Sequence, residues 1–148
     1  MIDGPEKTRA PRIREGTLDE ALHILTQVGE LAQGRPLSSY VERLAAEHLV
    51  LVAECGDQLA GFKIAYALDE STLYSWIGGI SPAFRRQGLG QSLLQTQENW
   101  ARQHGYRTIE VKSSNRFPQM LAMLRRNGYI FVEDVEGKQL YRKVLMVS

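Results

Sequence analysis

Ile80-Ser81-Pro82-Ala83-Phe84-Arg85-Arg86-Gln87-Gly88-Leu89-Gly90-Gln91 joins an extended apolar run, Leu73 to Ile80, to a helical pattern. The joint holds two arginines and two glycines. Glycine lets the backbone turn tightly and approach a ligand closely. The helix that follows leaves its first N–H groups without helical partners, at the positive end of its dipole. Such a joint can hold a phosphate or pyrophosphate. The same joint can also be a strand–helix turn that uses glycine for geometry alone. There is no Gly-Lys-Ser/Thr, so a nucleoside-triphosphate loop is unsupported. There is no Gly-x-Gly-x-x-Gly, and Pro82 stands at the strand exit, so the dinucleotide fingerprint does not fit.

Working outward, the elements fall in a recognisable order. Thr17-x-x-Glu20 is a capping box that opens a helix ending at Gly29 or Gly34. Leu18, Ala21, Leu22, Leu25 and Val28 follow helical spacing along it. A short helix is expected from Ser39 to Ala46, capped by Ser39, with Tyr40, Val41 and Leu44 as its stripe. Leu49–Cys55, Gln58–Leu68 and Leu73–Ile80 read as strands, and the short turns between them predict an antiparallel meander. The paired glycines Gly78-Gly79 suggest a bulge or close backbone approach. After the glycine joint, a helix runs to about His104. A strand follows at Thr108–Ser113, and Pro118 opens a helix that stops at Gly128. Two last strands flank Gly137. The expected fold is α/β (α+β): a mixed, mostly antiparallel sheet of six to seven strands with helices on both faces.

The chain has 148 residues, enough for one domain with a core. We read residues 1–12 as a flexible leader and 13–148 as one domain. No apolar run approaches the roughly 20 residues needed to span a bilayer, and no membrane role is expected. The one cysteine, Cys55, forbids an internal disulfide and suits a reducing cytoplasm. His23, His48 and His104 lack metal-ligand spacing, so no metal is expected. Pro82 to Asn127 carries eight basic residues against Glu98 and Glu110, while the rest of the chain is net acidic. A basic segment around a glycine turn suits a polyanionic small molecule. Few aromatics interleave it, so no nucleic acid is expected.

Arg85-x-x-Gly88-x-Gly90, with this element order, resembles the acyl-CoA-binding motif of the GNAT superfamily of N-acetyltransferases. The resemblance spans about Ile13 to Lys143. It implies that the third long strand splays from the next parallel strand and that acetyl-CoA, as cosubstrate, wedges into the gap. Gly79, Ile80 and Ser81 would then pair with the pantetheine arm. Backbone N–H groups of Arg86, Gln87, Gly88, Leu89, Gly90 and Gln91 would cradle the pyrophosphate, with Ser92 close by and Arg85 and Arg86 adding charge. Asn115 matches a ligand-contacting asparagine of the family.

The resemblance further implies direct acetyl transfer to a primary amine of a small molecule or peptide. A backbone N–H near Ile80 would stabilise the oxyanion. The position of a family glutamate base is Tyr74 here, and Glu110 on the neighbouring strand is the second candidate base. Where many members carry a tyrosine that protonates the departing thiolate, this chain has Leu124. Tyr129, Tyr141 or water could serve instead, or the thiolate could leave unprotonated. The acidic residues Glu15, Asp19, Glu20 and Glu30 about the first helix hint at a cationic acceptor. A non-catalytic acyl-CoA sensor or interaction module stays open as the alternative, and so does a homodimer.

Overall fold

A computed structural model of the chain describes residues 10–29 and 34–146. Most of the expected leader, and Glu30, lie outside them. β1 spans Arg12–Glu15, α1 Leu18–Leu25, α2 Leu37–Arg43, β2 His48–Cys55, β3 Gln58–Ala67 and β4 Thr72–Ile80. A 3-10 turn, Pro82–Phe84, leads to α3, Leu89–Gln103. Then come β5 Thr108–Ser113, α4 Pro118–Arg126, β6 Ile130–Val135 and β7 Lys138–Val144. The seven strands form one sheet in the order β1-β2-β3-β4-β5-β7-β6. Among the described strands, only β4 and β5 run parallel, as the intervening helix requires.

Alternation along β2 builds two cores. Leu49, Leu51 and Ala53 face a cluster with Leu89, Leu93 and Leu94 of α3 and Leu121 and Leu124 of α4. Val50 and Val52 face the other side, with Ala21, Ile24 and Leu25 of α1, Tyr40 of α2, and Phe62 and Ile64 of β3. β2 and β3 are thus apolar on both faces, as strands covered by helices on both sides must be. No helix among the described residues is long and apolar enough to cross a membrane.

Three local expectations change. α1 ends at Leu25, four residues before Gly29, where the backbone tightens into three-residue turns: the Gln27 N–H donates to the Ile24 carbonyl at 2.9 Å and the Val28 N–H to the Leu25 carbonyl at 3.0 Å. Val28 is buried all the same, from the turn. α2 starts at Leu37 behind Pro36, so Ser39 is an interior residue whose hydroxyl accepts from Arg43 Nη1 at 2.9 Å. Val41 is 57% exposed and is not part of that helix's buried stripe.

Candidate active site

The sheet opens where β4 leaves β5. Their parallel pairing runs from Thr72↔Thr108 to Ser75↔Val111. Beyond Ser75, β4 continues beside β3 alone. On that side Ile64 pairs with Ile77 while Ala65 pairs with Ser75, so Trp76 is the extra residue of a bulge. The bulge lies two residues before the glycine pair expected to form it. A bulge adds twist and re-aims the strand, which turns β4 away from β5. Gly78 serves close approach: a Cβ there would stand 3.0 Å from the Phe62 carbonyl oxygen.

A cleft of about 820 Å³ occupies the gap. Tyr74, Gly79, Ile80 and Arg85 line it, with Ser113, Pro118 and Met120 on the opposite wall and Gly137 on the β6–β7 turn. Six cationic side chains line it (Arg35, Lys63, Arg85, Lys112, Arg116 and Lys138) against one acid, Glu136. That balance favours an anionic ligand. Of the described acidic residues that hinted at a cationic acceptor, none lines the cleft. Glu20 among them is held by Arg14 through bonds of 3.1 and 2.7 Å.

The joint after β4 is built from backbone. The Ser81 N–H donates to the Ala60 carbonyl at 2.8 Å. Alternation then aims the N–H and carbonyl of Ile80 away from β3, toward the gap. Arg85 Nε donates to that carbonyl at 3.0 Å, while the Ile80 N–H faces the gap. The Ser81 hydroxyl is turned elsewhere, donating to Gln27 Oε1 at 2.8 Å. Arg86 and Gly88 both have positive φ, 65° and 79°. The sequence points to glycine for this turn, yet an arginine shares the left-handed work. Such strain concentrates at functional sites.

Gly88 is the N-cap of α3 and makes no side-chain cap bond. The first helical bond there is Ser92 N–H to the Gly88 carbonyl, 3.1 Å. The N–H groups of Leu89, Gly90 and Gln91 precede it and have no helical acceptor. The buried Leu89 side chain anchors the turn. A Cβ on Gly90 would meet only Met123 Sδ, at the ordinary distance of 3.7 Å. The protein's own packing therefore does not demand glycine at 90. The Gln91 side chain is spent on a reciprocal amide pair with Asn127, both bonds 2.8 Å, which ties α3 to α4.

Other expected site residues are placed less simply. Asn115 Oδ1 accepts from Gln139 Nε2 at 2.6 Å, and the side chain is exposed beside the cleft wall. Glu110 lies opposite Tyr74 in the register. Its Oε2 accepts from both Nε and Nη2 of Arg142, at 2.9 and 2.6 Å. The Tyr74 hydroxyl is pushed up to about 12, first by burial and then by the neighbouring Tyr66. Tyr66, Tyr74 and Trp76 form an aromatic wall on the α1/α2 side, with ring centroids 5.5 and 5.6 Å apart. The Arg43 and Arg35 guanidinium carbons stand 4.7 and 5.3 Å from the Trp76 ring centroid.

Sequence reasoning missed Lys63, Arg35 and Arg43. For Lys63 a signal existed: it is the lone charge between Leu59 and Leu68 in a strand apolar on both faces. The arginines leave none: the packing of Tyr40 of α2 on Trp76 brings both to that ring, and Arg35, not Arg43, lines the cleft.

Comparison with known proteins agrees with this architecture. The chain is similar to L-2,4-diaminobutyric acid acetyltransferase of Nocardia farcinica, 29% identical over 146 residues and covering 86% of this chain and 76% of that protein. A match to a pentatricopeptide repeat-containing protein of Arabidopsis thaliana is 30% identical over 82 residues and spans 50% of this chain but only 13% of that protein. Among solved structures, the ribosomal-protein-S18-alanine N-acetyltransferase of Escherichia coli superposes with a TM-score of 0.77 at 15% identity, covering 94% of this chain and 96% of that one. The PaiA N-acetyltransferase of Thermoplasma acidophilum, in complex with coenzyme A, gives 0.75 at 13% identity, covering 92% and 99%. These structural likenesses speak for the fold alone. The family model for acetyltransferases of the GNAT family matches residues 18–129, from the first turn of α1 through the end of α4 and across both walls of the cleft. The chain therefore belongs to the acetyltransferase (GNAT) family, a family of acyl-CoA-dependent transferases.

Proposed function

We propose that this enzyme moves an acetyl group from acetyl-CoA to a primary amine that also carries a carboxylate. The parting of β4 from β5 at Ser75, beside the uncapped start of α3, is the observation that supports acetyl transfer. The Leu89, Gly90 and Gln91 N–H groups and the α3 dipole would hold the pyrophosphate. The free edge of β4 would pair with the pantetheine amides as an added strand does. The Ile80 N–H, pointing into the gap, would accept the developing oxyanion charge. When bound, the donor supplies an acyl carbon activated as a thioester.

The acceptor reading rests on the aromatic wall. Arg35 and Arg43 stacked on Trp76 present two guanidinium groups beside the cleft, and guanidinium pairs well with carboxylate. A free amino acid or a short peptide meets that description. The diaminobutyrate acetyltransferase relative acts, by its name, on such a molecule. Tyr74, with its hydroxyl pushed up to about 12, is hardly ever in the ionised form that could take a proton near neutral pH. Glu110 is engaged by Arg142. We assign uptake of the amine's proton to water at the cleft mouth, and give Tyr74 the task of shaping it.

Thiol release from acetyl-CoA across a panel of amines, with and without a carboxylate, tests both halves. Diamino acids should turn over best, and Arg43→Ala should raise their KM about tenfold with kcat little changed, the pattern of lost uniform binding. Faster turnover of carboxylate-free polyamines would remove the acceptor assignment. CoA binding without thiol release on any amine would favour a sensor.

A further inference from the structure

Lys63 is a buried cation that nothing among the described residues answers. β3 sets it between Leu51 of β2 and Gly78 of β4, on the face covered by α3 and α4. The residue is 7% exposed and lines the cleft. Its Nζ lies 3.5 Å from where a Cβ on Gly78 would stand. Among the described residues it has neither an ion-pair nor a hydrogen-bond partner. Two more polar side chains on this side are buried without partners: Ser75, opposite Ala65, and Gln97 on the packed face of α3. An unpaired buried charge is costly, and its persistence beside a ligand cleft indicates a partner that arrives with the ligand.

The acetyl-transfer reading, on which this inference rests, produces such a partner. As the acyl carbon leaves sulfur, a thiolate forms in the gap along β4. Leu124 offers it no proton. The Tyr129 hydroxyl donates to Glu98 Oε2 at 2.8 Å, and burial together with Glu98 pushes its pKa far up. The Tyr141 hydroxyl donates to Gln139 at 2.8 Å. Tyr74 faces the other side of the sheet, with Tyr66 and Trp76. Arginines hold their protons too tightly to act as acids.

We propose that Lys63 Nζ donates the proton that converts the departing CoA thiolate to the free thiol. The acceptor nitrogen forms its bond to the acyl carbon and loses a proton to water. The carbon–sulfur bond breaks with its electron pair left on sulfur. An N–H bond of Lys63 breaks, sulfur takes the proton, and the neutral amine is reprotonated from solvent through the cleft. Burial brings the Lys63 ammonium down to about 8, near a thiol's ordinary value of about 8.5. That match allows the transfer in both directions. The other titratable groups packed on this face are Cys55 at the end of β2, Tyr106, Tyr129, Tyr141 and Glu98. Tyr106 is bonded to Glu47, and Lys143 holds Glu98 at 3.0 Å, so neither competes for this proton.

The test uses the full chain with Lys63→Met and Lys63→Arg. Ultraviolet titration of bound CoA reads the thiolate directly and needs no acceptor. The thiol should ionise about one to three units lower in the wild type than in Lys63→Met, as beside an opposite charge. With an accepted amine, the wild-type kcat should fall as pH rises through about 8. Lys63→Met should lower kcat about 10²-fold and abolish that limb. Lys63→Arg should be as slow, although it keeps the charge, and CoA affinity should stay within about threefold in Lys63→Met. Identical thiol titrations in wild type and Lys63→Met, or a Lys63→Arg enzyme at the wild-type rate, would overturn the proposal. An unshifted thiol with normal turnover removes Lys63 and leaves acetyl transfer standing. A shifted thiol with no turnover on any amine removes acetyl transfer and leaves Lys63 beside the sulfur.

Discussion

α1 and α3 begin in opposite ways. At α1 the protein satisfies its own helix start. The Thr17 hydroxyl accepts from the Glu20 N–H at 3.1 Å, and Glu20 Oε1 accepts from the Thr17 N–H at 2.9 Å. Arg14 then clamps Glu20 and reaches Glu54 of β2 through Nε at 2.9 Å. At α3 there is no side-chain cap and no acidic residue in the first turn, and the entry is left-handed at Arg86 and Gly88. A helix start that closes on itself serves the fold. One left open, as at α3, leaves its donors unused by the fold, and we propose that they serve a ligand.

If that contrast is right, damage at the two starts should separate stability from binding. Glu20→Ala removes half of the capping box and the Arg14 clamp. Urea unfolding should show a loss of about 2 kcal/mol, with the CoA affinity of the folded fraction unchanged. A fall in affinity of the same size would mean that the two ends are coupled. Gly88→Ala should act on both. A Cβ there meets nothing within 4 Å, so the cost is the backbone's. With φ at +79°, it should be about 1 kcal/mol of stability, accompanied by weaker CoA binding as the turn relaxes.

The α1 start should also carry a pH signature. Hydrogen bonds from Arg14, then from the Thr17 N–H, hold the Glu20 carboxyl down at about 2 against an ordinary 4.5. A carboxyl depressed by folding stabilises the folded state above its unfolded pKa. That contribution should be whole above about pH 4.5 and fade as pH falls toward 2. Thermal melts of wild type and Glu20→Gln should converge across that window. Parallel curves would show that Glu20 is not held as described. The smallest effect belongs to Tyr74→Phe. It should change kcat by less than about threefold and acceptor KM by more. A loss of about 10²-fold in kcat would restore Tyr74 as a general base.

Much of this contrast could be read from the chain. Thr17-x-x-Glu20 announces a closed start, and Arg85-x-x-Gly88-x-Gly90 an open one, because both are local patterns of backbone chemistry. The order of strands and helices was legible for the same reason: periodicity, turn residues and caps act within a few positions. The bulge at Trp76 was not, since it depends on register against β3, and Gly78-Gly79 drew attention two residues too late. The pairing of Glu110 with Arg142 joins residues 32 positions apart through β5 and β7. No local pattern marks it. The cation-lined cleft takes Arg85, Lys112 and Arg116 from the basic segment 82–127, which was legible, and Arg35, Lys63 and Lys138 from the net-acidic remainder, which was not.

The central claim is that the open start of α3 holds the donor's pyrophosphate. Calorimetric titration of CoA into wild type and Gly90→Val tests it most directly, because a Cβ at 90 meets only Met123 Sδ at 3.7 Å and the fold should survive. The account predicts micromolar CoA binding by the wild type and a loss of at least tenfold in the folded variant, about 1.4 kcal/mol. A folded Gly90→Val protein that binds CoA as tightly as wild type would contradict it and reduce the glycines to turn geometry.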